Sequence, residues 1–266
     1  MKITTLIENL VYKPGLQAEH GLALLIDTGD RKVLLDTGQS PAFISNAKEM
    51  GIDLADIDSV VISHGHYDHT GGLNAFLMEN AKAKVYLKRN ALTAKYHGRN
   101  RFIGMDSPLE QLNKRAIFVD SVLDLGNGIF LNPTIPIENP IDTSFGGFQI
   151  RIDDRFDRDE FNDELFISIV SNDEVSILSS CSHRGISNVV KAAMDYHSLP
   201  INLIMGGFHL KDTNENQMRA VVECMEEAEP KRIGVCHCTG VDNYVKLKRT
   251  LDCDVFYSFT GSEVVI

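Results

Sequence analysis

The stretch Ser63–Gly72, SHGHYDHTGG, restricts this chain more than any other feature, because three of its nine histidines and an aspartate fall between His64 and His69. It follows the short apolar run Asp58–Ser63, which reads as a buried strand, and precedes Gly72–Asn80, which reads as a helix. On an extended segment His64 and His66 alternate, so both face one point. Asp68 and His69 fall on the turn into the helix and face a neighbouring point. Imidazole nitrogen and carboxylate oxygen suit zinc, iron and manganese. Two such pairs side by side suit two ions that share a hydroxide. Gly65, Gly71 and Gly72 let the backbone turn closely around them. A histidine-rich surface loop that binds nothing is the plainer alternative, and the strand end, spacing and glycines together weigh against it.

The flanking sequence supplies a scaffold. Lys2–Ile7 reads as a strand, and Gly21–Asp27 and Lys32–Asp36 read as a hairpin around Thr28-Gly29-Asp30-Arg31. Ser40–Met50 reads as a helix with Ser40 as N-cap and Gly51 as its stop. Lys84–Leu87 and Ala116–Val119 read as further strands. A second hairpin, Glu164–Val170 and Glu174–Ser179, turns at Asn172-Asp173. After it come a helix at Ile186–His197, a strand at Ile201–Met205, a helix at Glu215–Glu227, and strands at Lys231–Val235 and Asp254–Tyr257. Hairpins followed by alternating strands and helices, in each half, predict an α+β fold of two mixed sheets with helices on the outer faces. One domain spanning 1–266 is the simplest organisation, with an irregular insertion or lid at about 132–162, where Pro133, Pro136, Pro140 and a charged run fall.

Composition narrows the partners. The 266 residues can bury a core without disulfides. Charge is −11, from 26 basic and 37 acidic residues, against a nucleic-acid surface and in favour of a small-molecule substrate. Five cysteines without paired spacing do not resemble a secreted framework. No signal-like or membrane-length apolar run is present. The expected location is the cytoplasm, and the sequence leaves oligomeric state open.

The motif HxHxDH after a short strand resembles the signature of the metallo-β-lactamase superfamily, and Leu35-Asp36-Thr37-Gly38 resembles that family's early strand-end element. Together with SCSHRGISN, GGFHL and HCTG, the motif is similar to the dihydropteroate-synthase-like branch, whose members are mostly metal-dependent hydrolases. The resemblance implies an αββα sandwich and further ligands on later strands. It places His237, in VCHCTG, on a second metal with Asp68 and His69. The family's middle histidine falls near Asn162-Asp163-Glu164, where none is present, and its bridging aspartate falls near Cys181. His183 is the imidazole at hand, expected to complete the first metal with His64 and His66. Cys181 reads equally as a soft ligand and as a small buried residue. Cys236 and Cys238 read as packing, since on a strand they point away from His237. A CxC spacing alone argues for no separate zinc site.

His209, at a strand end behind Gly206 and Gly207, is read as a proton donor or substrate contact, with a structural role as its alternative. Glu19-His20-Gly21 resembles a pocket element of the branch. His97 and His197 read as solvated. Lys95, Arg99 and Arg101 read as a solvated loop, with an anionic substrate group as the alternative partner. The expected activity is hydrolysis of a small ester, lactone or phosphodiester by metal-activated hydroxide, with Asp68 orienting the nucleophile and His209 protonating the leaving group. Two divalent ions are expected, zinc first, with manganese or iron as alternatives. A pterin or phosphoribosyl transferase is the rival reading. Redox and non-catalytic metal-binding roles stand behind both.

Overall fold

The computed structural model describes residues 1–105 and 110–266. Its internal contacts divide the chain into two compact units that interleave in sequence. The first comprises Met1–Asp120, Phe145–Asp163 and Phe259–Val265, and the second Ser121–Ser144, Glu164–Ser258 and Ile266. Both are built of mixed sheets and helices, the α+β class the sequence predicts.

In the first unit a seven-stranded sheet runs, in spatial order, through Glu263–Val265, Lys2–Ile7, Ala23–Asp27, Lys32–Leu35, Ser59–Val61, Lys84–Leu87 and Ala116–Phe118. The first four pair antiparallel and the last four parallel. Helices Ala42–Glu49 and Leu73–Glu79 bury Phe43, Ala47, Phe76 and Leu77 with Val60, Val85 and Leu87. Each fully buried aliphatic or aromatic side chain of this kind contributes about 1.5–3 kcal/mol. Ser40 Oγ accepts the amide of Ala42, while Pro41 takes the cap position expected of Ser40.

The same unit carries a four-stranded sheet that sequence reading misses, ordered Arg155–Arg158, Phe148–Ile152, Ala94–His97, Arg101–Phe102. Part of the stretch expected to be irregular, 132–162, is therefore a hairpin turning at Asp153-Asp154, with Asp153 at φ 53°. Its cue was the alternation in FQIRI, obscured by the charges around it. Its pairing with Ala94–His97 is non-local and leaves no periodic trace. Lys95 through Arg101 is a strand pair, not a solvated loop.

The second unit's seven-stranded sheet orders Asp254–Tyr257, Arg232–Val235, Ile201–Gly206, Glu174–Ser179, Phe166–Ser171, Ile129–Asn132 and Leu123–Gly126. The first four are parallel, the rest antiparallel. Asn172 and Asp173 both take φ above 50°, as a tight hairpin turn requires. In helix Ile186–His197 the buried residues Ile186, Val189, Val190 and Ala193 recur at helical spacing and meet Val175, Ile177 and Ile204. The helix ends at left-handed Ser198, and Pro200 forbids its continuation. Helix Glu215–Ala228 starts under Asn214, whose side chain accepts the amides of Asn216 and Gln217. Among the described residues no helix is long and apolar enough to cross a membrane.

Candidate metal centre

In both units the chemistry-bearing residues follow the C-terminal ends of parallel strands, where open α/β sheets place their sites. Asp36 follows Lys32–Leu35, and His64 follows Ser59–Val61. Cys181 and His183 follow Glu174–Ser179, His209 follows Ile201–Gly206, and His237 follows Arg232–Val235.

The first unit brings the whole opening motif together. His64, His66, Asp68 and His69 are all buried. The His64 ring lies 4.7 Å from that of His66 and 4.3 Å from that of His69, centroid to centroid. Asp36 organises them. Its carboxylate accepts the Ser63 amide at 2.8 Å and the Ser63 hydroxyl at 2.7 Å. Its Oδ2 lies 2.7 Å from His69 Nδ1. The hydroxyl of Ser63, having given its proton to Asp36, accepts from His64 Nδ1 at 2.9 Å. This network assigns the Nδ1 proton to both His64 and His69 and makes Nε2 the lone-pair nitrogen of each, the tautomer a metal ligand needs. Burial holds the pKa of His64 well below its ordinary value, and the neighbouring His69 and His66 add to the effect. A buried group of imidazoles beside a carboxylate is a donor set suited to a divalent cation.

His20 is half exposed, and its Nε2 stands 3.2 Å from Asp68 Oδ2. Asn9 Nδ2 lies 3.4 Å from the other ring nitrogen. Glu19, by contrast, accepts the amides of Gln39 and Ser40 and the Ser40 hydroxyl, so it fastens the chain. Gly65 is required sterically, because a Cβ there would stand 2.1 Å from the Ala91 carbonyl oxygen.

In the second unit Cys181, His237 and Cys238 are buried with their ligand atoms all within 4.8 Å of one another. At Cys238 the backbone departs from the strand on which its packing reading rested. Segment His237–Thr239 is a 3₁₀ turn, with His237 at φ 51°, so the neighbouring side chains do not alternate as on a strand. No signal in the CxC spacing announces this. Cys236 remains a fully buried packing residue. His183 is buried, and its ring centroid lies 4.3 Å from that of His209. Glu164 holds the segment, accepting the amides of His183 at 2.9 Å and Arg184 at 2.7 Å. Ser182, His209 and His237 all have φ between 46° and 51°, and Asp36 in the first unit has φ 59°. Strained backbone of this kind persists where surrounding structure over-determines it and clusters at functional sites.

The remaining readings divide. Asp163 accepts the Gly65 amide and pairs with Lys95, and Glu164 accepts the amides of His183 and Arg184. His97 is exposed, as expected. His197 is half-buried, not solvated. Its Nε2 is 2.7 Å from Ser168 Oγ, and burial lowers its pKa. Lys95 is buried and paired with two aspartates, which excludes it from contact with an external anion.

Comparison with known proteins gives a consistent set. The family profile of the metallo-β-lactamase superfamily matches residues 16–164. An uncharacterised protein of Methanocaldococcus jannaschii is 30% identical over 252 residues, 93% of this chain and 94% of that protein. From the same organism, 7,8-dihydropterin-6-methyl-4-(β-D-ribofuranosyl)-aminobenzene-5′-phosphate synthase is 27% identical, covering 90% of this chain and 88% of the synthase. A crystal structure described as a metal-dependent hydrolase of the β-lactamase superfamily superposes with a TM-score of 0.89 at 29% identity, covering 100% of this chain and 99% of its own.

Proposed function

From the premise that this chain belongs to the metallo-β-lactamase superfamily, we propose that it is a metal-dependent hydrolase of a small ester, lactone or phosphodiester. The observation that carries the reading is the buried His64–His66–His69 group, in which Asp36 and Ser63 set the tautomers of His64 and His69 for metal ligation. Two divalent ions are proposed, zinc first. His64, His66 and His183 would serve one, and Asp68, His69 and His237 the other. The nearness of Cys181 to His237 supports a thiolate contribution, which favours zinc over manganese.

A bound divalent metal supplies Lewis-acid polarisation and lowers the pKa of water towards neutrality. The chain's own residues do the rest. Asp68, held by His20 Nε2 at 3.2 Å, orients the attacking water through its carboxylate. His209, on strained backbone beside His183, donates a proton to the leaving group. The net charge of −11 supports a small substrate over a nucleic acid.

A second reading is supported by the M. jannaschii synthase, which matches over nearly the full length of both chains. It is a transferase joining a pterin precursor to a phosphoribosyl group. Purified protein should be assayed on phosphodiesters, thioesters and lactones, beside a pterin–phosphoribosyl condensation. Metal-dependent condensation without hydrolysis anywhere on the panel replaces the first reading with the second. Turnover that survives complete metal removal overturns both.

A further inference from the structure

Behind the histidine motif, within the first unit, lies a buried charged cluster that metal ligation leaves unexplained. Lys95 is 1% exposed. Its Nζ donates to Asp159 Oδ2 at 2.7 Å and to Asp163 Oδ1 at 2.9 Å. Burial opposes the charge, and Asp163 and Asp159 overcome it, so the pKa of Lys95 stands above its ordinary value.

Each partner passes the constraint forward. Asp163 Oδ2 accepts the amide of Gly65 at 2.7 Å, the peptide between His64 and His66. Asp159 Oδ1 accepts the amide of Phe161 at 2.8 Å. The Phe161 ring meets His66 edge-on, with centroids 5.3 Å apart at 84°. The main chain adds a third connection. The Lys95 carbonyl accepts from Ile103, and the Ile103 carbonyl accepts from Tyr67, each at 2.9 Å. Three separate routes from Lys95 thus end on Gly65, His66 and Tyr67.

A buried ion triad is a poor way to gain stability, since desolvation offsets most of the attraction, whereas fixing a unique arrangement is its best-attested use. Groups that orient metal ligands from behind are worth as much to affinity as some ligands. We propose that Lys95 is a second positioning residue of the metal motif, beside Asp36, holding the Gly65 amide through Asp163 and the His66 ring through Asp159 and Phe161, so that His64 and His66 present their nitrogens at one fixed separation. The proposal rests on the metal-dependent reading of this motif.

The test compares wild type, Lys95→Met and Asp163→Ala. It measures zinc affinity by competition with a chromogenic chelator, fold by circular dichroism and melting, and Gly65 amide hydrogen exchange in metal-depleted protein. Folded variants should bind zinc about 10- to 100-fold more weakly and exchange the Gly65 amide faster. A folded Lys95→Met protein with unchanged zinc affinity overturns the proposal. If Lys95→Met does not fold, Asp163→Ala decides by the same measure. If neither folds, the cluster is a stability element and the proposal fails. A wild type that binds no metal, with Gly65 exchange still accelerated in the variants, defeats the metal reading and leaves the Lys95–Gly65 coupling intact.

Discussion

His69 Nδ1 and Asp36 Oδ2 lie 2.7 Å apart, with both side chains wholly removed from solvent. The same carboxylate oxygen accepts the Ser63 hydroxyl, which in turn accepts from His64. One aspartate therefore sets the tautomer of two histidines on a different strand end. Asp36→Asn isolates this effect, because asparagine tolerates the left-handed backbone at this position, φ 59°. The variant should fold and bind zinc about 10- to 100-fold more weakly. Unchanged affinity in a competition titration removes Asp36 from the positioning role.

His66→Ala and Asp68→Asn should each lose bound metal while keeping their secondary structure. Chelation of the wild type should abolish turnover, and zinc or manganese should restore it. Full metal content in both variants, by elemental analysis of folded protein, would falsify the assignment of the opening motif.

The closeness of Cys181, His237 and Cys238 predicts sulfur coordination. Cobalt-substituted wild type should show intense near-ultraviolet sulfur-to-metal absorption. Cys181→Ser and Cys238→Ser should each weaken it, and the double variant should abolish it. A cobalt protein without that absorption shows both thiols to be packing residues.

Asp142 gives a pH-dependent stability of definite sign. It is buried in the second unit, where its Oδ2 accepts the amide and hydroxyl of Ser187, each at 2.8 Å. Burial outweighs those hydrogen bonds and raises its pKa from 3.8 to about 6. The folded state thus prefers the protonated acid. That preference contributes fully below about pH 4 and is lost as pH rises through about 6. Two pH units correspond to roughly 3 kcal/mol. Relative to Asp142→Asn, the wild type should lose about that much stability between pH 4 and pH 7, read from denaturant midpoints. A difference between the two proteins that stays flat across this range rules the ionisation out.

The regular elements were legible because their signals are local. Helix Ile186–His197 and strands Lys84–Leu87 and Asp254–Tyr257 lie where periodicity and turn residues put them. The four-stranded sheet was not legible, because Ala94–His97 pairs with a hairpin some fifty residues away. Pairing over that distance depends on side-chain packing that no short window contains.

By itself the sequence determined the α+β class, the strand end that carries His64 to His69, and the ligand types available there, since spacing and periodicity express all three. The tertiary structure decided what surrounds those ligands. It buried Lys95 between Asp159 and Asp163, set Asp36 against His69, and turned His237–Thr239 so that Cys238 joins Cys181. Each of these joins residues far apart in the chain or turns on one local backbone conformation. The partners packed beside them hold the charge of Lys95 and the tautomers of His64 and His69, and those partners are a property of the packed fold that no residue carries alone.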